Sequence, residues 1–162
     1  MQVYLLRHGI AEDARPGQPD AERALTAEGR DKLRRVLKRA RAADAAPTVI
    51  LSSPLRRAVE TAEVAKTVLA YQGEIVRTNA LAPEGSPPDI WGEIRGRKGE
   101  KSILLSGHEP LMSATLAFLL DCPALMVDFK KGALVRVDCD RFGPQPKCVL
   151  KWLLTPGLAV DL

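Results

Sequence analysis

The sequence is poor in aromatic residues, in cysteine and in histidine. Its 162 residues include two tryptophans, two tyrosines and three phenylalanines, so leucine, valine, isoleucine and alanine must build the core. The three cysteines are odd in number and lack CxxC spacing; they read as small buried hydrophobes rather than as a disulfide framework or a metal site. No metal and no cofactor is expected. The apolar stretch around residues 114–120 falls far short of membrane-spanning length, and the N-terminal residues 1–6 are too short an apolar run, with no basic leader, to be a signal peptide. No membrane partner is expected, and the expected location is the cytoplasm.

What remains is the composition of an ordinary globular protein, 46% hydrophobic and 27% charged, which argues against disorder. The length suits one domain spanning residues 1–162. A net charge of +4 comes from 24 basic and 20 acidic residues. Much of the excess lies on one segment, at Arg30, Lys32, Arg34, Arg35, Lys38, Arg39 and Arg41. With Leu33, Val36, Leu37 and Ala40 at helical spacing and no interleaved aromatics, this reads as the solvated face of an amphipathic helix. No nucleic-acid partner is expected.

Short apolar runs at residues 3–6, 48–51 and 102–105 read as buried strands, with further strands at 74–77, 133–138 and 148–154. Helices are predicted from Thr26 as N-cap to about residue 43, and from Ser53 as cap with Pro54 in the first helical position to about residue 70. A short helix is predicted over 89–94, and an apolar one from Pro110 to near residue 121. Residues 9–25 and 81–88 read as loops. Alternating strands and helices predict an α/β fold, a three-layer α/β/α sandwich around a mostly parallel sheet.

Three strands end in polar residues: Arg7-His8-Gly9, Ser52-Ser53-Pro54-Leu55-Arg56-Arg57 and Gly107-His108-Glu109-Pro110. Ligands of open α/β sheets bind outside the carboxyl ends of strands, so parallel neighbours would bring these sets together. The chain's two histidines both stand at such ends. Arginines hold phosphoryl oxygens bidentately and a neutral imidazole can attack phosphorus, so two histidines with flanking arginines point to phosphoryl transfer.

Leu5-Leu6-Arg7-His8-Gly9 resembles the opening motif of the histidine phosphatase superfamily, which includes the phosphoglycerate mutases. Leu25-Thr26-Ala27-Glu28-Gly29 is similar to its Leu-Thr-x-x-Gly. Ser53-Pro54-Leu55-Arg56-Arg57-Ala58 with Thr61-Ala62 is similar to its Ser-Pro-Leu-x-Arg-Ala-x-x-Thr-Ala, and Gly107-His108 to its second histidine motif. The resemblance implies a phosphoglycerate mutase-like fold. It further implies that His8 becomes phosphorylated while Arg7, Arg57 and His108 bind the phosphoryl oxygens, with Gly9 in the substrate-binding set. It selects Arg57 over Arg56, which is left as a rim charge. Ser53 reads as a cap, and Glu93 as surface.

The compact chain lacks room for the long acid-bearing insertion of the mutase branch and looks most like the SixA-type phosphohistidine phosphatases. Imidazole is a less basic leaving group than an alkoxide and needs less help from a placed acid. Glu84 is the one candidate proton donor. The resemblance implies a phosphorylated protein of histidine-phosphotransfer type as substrate, inorganic phosphate as product and a role in signal transduction. Two alternatives remain at this point: a phosphatase of small phosphomonoesters or phosphoanhydrides using the same His8, and a noncatalytic phosphate- or protein-binding module.

Overall fold

The computed structural model describes residues 1–160. Six strands, β1 (Gln2–Arg7), β2 (Val49–Ser52), β3 (Ile75–Arg77), β4 (Ser102–Gly107), β5 (Leu134–Asp138) and β6 (Val149–Leu154), form one sheet in the order β3-β2-β4-β1-β5-β6. β3, β2, β4 and β1 run parallel, while β5 lies antiparallel to β1 and to β6. The expected mostly parallel α/β sandwich is the observed one.

The strands sort their side chains by alternation. Val3 and Leu5 of β1 face one core, with Ile90, Ile94, Met112 and Leu116 of α3 (Pro87–Arg95) and α4 (Leu111–Leu119). Tyr4 and Leu6 face the other, with Leu33, Leu37, Ala62 and Ala65 of α1 (Ala27–Ala42) and α2 (Arg56–Val68). The sheet is therefore covered on both faces, which is why its central strands read as continuous apolar runs.

Helix α1 starts where its cap was expected: the Thr26 side chain accepts the Gly29 N–H at 2.9 Å. Gly29 sits against the chain leaving β1. A Cβ there would lie 2.4 Å from the Ile10 carbonyl oxygen, so the absent side chain lets helix and loop meet. Helix α3 begins at Pro87 rather than near residue 89, capped by Ser86 accepting the Asp89 N–H at 3.3 Å. Prolines suit that first turn because its N–H groups have no helical partner.

Two expectations fail. Helix α2 starts at Arg56, with Leu55 rather than Ser53 at the cap position and Pro54 outside the helix. The cysteines are not all free buried hydrophobes, since Cys139 and Cys148 form a disulfide and Cys122 is exposed. The antiparallel register explains the bond: Asp138 pairs with Val149, so the residues just beyond both strand ends face each other, 4.6 Å apart at Cα. Disulfides persist mainly in oxidising surroundings, so the cross-link lends no support to a cytoplasmic location. No helix among the described residues is long and apolar enough to cross a membrane.

Candidate active site

The parallel register sets the site. Arg7 lies opposite Gly107, and Ser52 opposite Ser106, so β1, β4 and β2 end side by side. The turn beyond each strand is tied to its neighbour: the His8 N–H donates to the Gly107 carbonyl at 2.9 Å, and the Ser53 N–H to the Ser106 carbonyl at 2.9 Å. Arg57 enters from the first turn of α2 and is 6% exposed. His8 and His108 are 8% and 2% exposed, with ring centroids 5.1 Å apart. Arg7, His8, Arg57 and His108 thus converge as the sequence predicted, and Arg56 points outward in an ion pair with Glu60.

The histidines are held in defined states. His8 Nδ1 lies 2.8 Å from the Gly9 carbonyl oxygen. A carbonyl only accepts, so Nδ1 carries the proton and Nε2 keeps its lone pair. Burial pulls the His8 pKa down to about 4. The Gly9 carbonyl opposes that shift, while Arg57, Arg7 and Lys131 add to it. His108 is pulled down to about 3 by burial, then by His8 and Arg57. Both rings are neutral near pH 7.

The guanidiniums are only partly satisfied. Arg7 donates from Nη1 to the Phe129 carbonyl at 2.7 Å. Arg57 donates from Nη1 to the Asp20 carbonyl at 3.0 Å and from Nη2 to the Asp20 carboxylate at 3.1 Å. Arg7 Nε, Arg57 Nε and His108 Nδ1 are buried without any partner. Three unpartnered buried nitrogens cost stability, and two of them belong to permanent cations. Two guanidiniums beside two neutral imidazoles can balance the charge of an anion bound there.

The Gly9 N–H donates to Thr61 Oγ1 at 3.2 Å, and a Cβ on Gly9 would meet Leu33 Cδ1 at 2.8 Å. Its amide is therefore engaged by α2 in this structure, and its lack of a side chain lets the turn pack against Leu33. Thr61 also donates to the Arg57 carbonyl at 2.7 Å, so one hydroxyl braces the His8 turn against the Arg57 turn.

Glu84 is not brought to the cluster. It is exposed and lines an open cavity with Thr78, Asp89, Glu93 and Arg97 that contains none of the four converging residues. Glu93, expected at the surface, is half-buried, accepting from Thr78 Oγ1 at 2.6 Å and pairing with Arg97.

Asp20 is the contributor that sequence reasoning missed. It sits in the polar loop between β1 and α1, 37 residues from Arg57. No local pattern signals that pairing.

The comparisons with known proteins bear on family and fold. Residues 3–82 match the model of the histidine phosphatase superfamily, branch 1. The protein histidine phosphatase SixA, solved in complex with tungstate, superposes with a TM-score of 0.86 at 27% identity, covering 97% of this chain and 98% of that one. The chain belongs to the histidine phosphatase superfamily.

Within the superfamily its likeness is to the SixA-type branch. A candidate phosphohistidine phosphatase SixA from Agrobacterium tumefaciens superposes with a TM-score of 0.78 at 24% identity, covering 96% and 98% of the two chains; at that identity it speaks for the fold. An uncharacterized protein of Picosynechococcus sp. is 34% identical over 113 residues, 68% of this chain and 67% of its own length. Family and site together make this histidine phosphatase a hydrolase of phosphorylated compounds.

Proposed function

We propose that this protein, a single domain, is a phosphohistidine phosphatase acting on a phosphorylated protein through a phospho-His8 intermediate. The observation that carries the reading is the pairing of one free imidazole lone pair, on His8 Nε2, with unpartnered buried nitrogens on Arg7, Arg57 and His108.

In the first step His8 Nε2 attacks phosphorus, and the bond from phosphorus to the leaving nitrogen breaks. The departing imidazole takes a proton from water. Arg7 and Arg57 hold the phosphoryl oxygens and balance their charge, with His108 donating a further hydrogen bond. Water then attacks the phosphorus of phospho-His8. The phosphorus–Nε2 bond breaks, its electron pair returns to the ring, and inorganic phosphate leaves.

Two features favour phosphohistidine over an alkyl phosphate. The carboxylate at the cluster, Asp20, is held below the usual carboxylate range by its hydrogen bond to Arg23, against the opposing effect of burial, and by Arg57. It is ionised near pH 7 and has no proton to give an alkoxide. Glu84 faces another cavity. Between β3 and α3 the chain makes only a short 3-10 turn, Asn79–Leu81, with Leu81 and Ala82 buried, so this segment adds no lid over the strand ends. On this reading so short a segment leaves the strand ends within reach of a side chain presented on another protein, and loss of its phosphoryl group would damp a phosphotransfer relay.

The deciding experiment compares turnover of a phosphohistidine-bearing phosphotransfer protein with that of sugar phosphates, for wild type, His8→Ala and Glu84→Gln. The expected result is preference for the phosphoprotein, acid-labile and base-stable phosphate on the wild type, no turnover by His8→Ala and unchanged turnover by Glu84→Gln. Preference for sugar esters that is lost in Glu84→Gln would establish the small-ester reading instead.

A further inference from the structure

We propose that Ser53 is a positioning residue that fixes the tautomer of His108, so that His108 presents an N–H to the transferring phosphoryl group. The proposal rests on the phosphatase reading for its purpose, but its structural content can be measured without any turnover.

Ser53 stands at the turn between β2 and α2 and is fully buried. Its backbone is pinned on both sides: the amide donates to the Ser106 carbonyl at 2.9 Å, and the carbonyl accepts from Ser52 Oγ at 2.8 Å. The side-chain oxygen is thereby placed 2.7 Å from His108 Nε2, where it also accepts the Leu55 N–H at 3.2 Å. This contact explains why the residue does not cap α2 as its sequence position suggests.

Counting hydrogens selects the tautomer. A serine hydroxyl has one proton and two lone pairs, and one lone pair is taken by the Leu55 N–H. If His108 Nε2 carried its proton, it would donate to the second lone pair. The Ser53 proton would then have no acceptor among the described residues, and His108 Nδ1 would turn a bare lone pair toward an incoming phosphoryl oxygen. If Ser53 instead donates to Nε2, every proton at the turn is used and the ring proton moves to Nδ1. That atom is buried without a protein partner, and under the proposal it is the donor that the phosphoryl group satisfies. His8 is set in the same way by the Gly9 carbonyl. The two rings are therefore fixed in opposite senses relative to phosphorus: one offers a lone pair and the other an N–H.

The chain has two histidines, so long-range proton–nitrogen correlation spectra of uniformly labelled protein read both rings without overlap. The expected wild-type spectrum shows His108 protonated at Nδ1 and unprotonated at Nε2. In Ser53→Ala the proton moves to Nε2 or is shared. The kcat falls roughly 10- to 100-fold, the scale of losing one oriented donor, while KM stays within about twofold. Ser53→Thr, which keeps the hydroxyl, restores the wild-type tautomer and most of kcat. A wild-type His108 protonated at Nε2, or a Ser53→Ala spectrum identical to wild type, overturns the proposal, and the first of these needs no variant to fold. If the tautomers are as stated but no phosphorylated substrate is turned over, the phosphatase reading fails and the Ser53 assignment stands.

Discussion

Acid should destabilise this protein through its two histidines before its carboxylates titrate. Histidine in an unfolded chain titrates near 6.5, whereas the folded state holds His8 at about 4 and His108 at about 3. Above 6.5 both states are neutral at these positions and pH has no leverage. Below it the unfolded chain binds protons that the folded chain refuses, so stability falls with falling pH until the folded pKa values are reached. At about pH 5 each histidine costs about 2 kcal/mol relative to pH 7.5, and the two together roughly 4 kcal/mol, a large part of the stability of an ordinary domain. Urea unfolding at the two pH values measures this directly. His8→Asn and His108→Asn, which do not titrate, should each lose only about 2 kcal/mol over the same interval. Carboxylates contribute equally to all three proteins and cancel in the difference. A wild type that loses less than about 1 kcal/mol, or single variants that lose as much as wild type, would refute the claim that both rings are held neutral by burial and by the arginines.

Other outcomes follow from particular contacts. Asp20→Ala should tighten inhibition by phosphate or vanadate about two- to fivefold, because an exposed carboxylate no longer competes for Arg57; weaker inhibition would mean that Asp20 positions the guanidinium instead. Gly29→Ala gains about 1 kcal/mol of helix propensity but forces its Cβ onto the Ile10 carbonyl oxygen, so thermal unfolding should show a net loss on the order of 1–2 kcal/mol. Reducing the Cys139–Cys148 bond, which closes a loop with a sequence separation of 9, should cost about 2–3 kcal/mol by loop entropy. The same reductant should leave a Cys139→Ser, Cys148→Ser variant unmoved in urea midpoint.

The parts of this fold that were legible in sequence are those set by local rules. Thr26 caps α1 as its position suggests, and the apolar runs of β1 and β4 became the buried centre of the sheet. Arg7, His8 and His108 were legible because each stands at a strand end, where parallel register decides what meets. Arg57 was separable from Arg56 only through the family motif; buried against exposed, the two now differ plainly. What stayed hidden was decided by tertiary partners. Ser53 has the sequence of a cap, but its hydroxyl is turned to a histidine 55 residues away. Cys139 and Cys148 meet because of a hairpin register rather than a cysteine motif. Glu84 lies in a suitable stretch of chain, yet the turn that follows β3 faces it elsewhere.

The place of β1 in the sheet bears on how the molecule assembles. The strand that leads into His8 is synthesised before both of its sheet neighbours, which are Ser102–Gly107 on one side and Leu134–Asp138 on the other. Until those segments emerge it has no hydrogen-bonding partner, and pairings so distant along the chain are slow to form and leave apolar edges open to aggregation. Formation of the His8 turn is therefore a late event, because its bonds run to Gly107 and Gly132. A refolding chain should recover α1 and α2 well before it recovers a site able to bind phosphate.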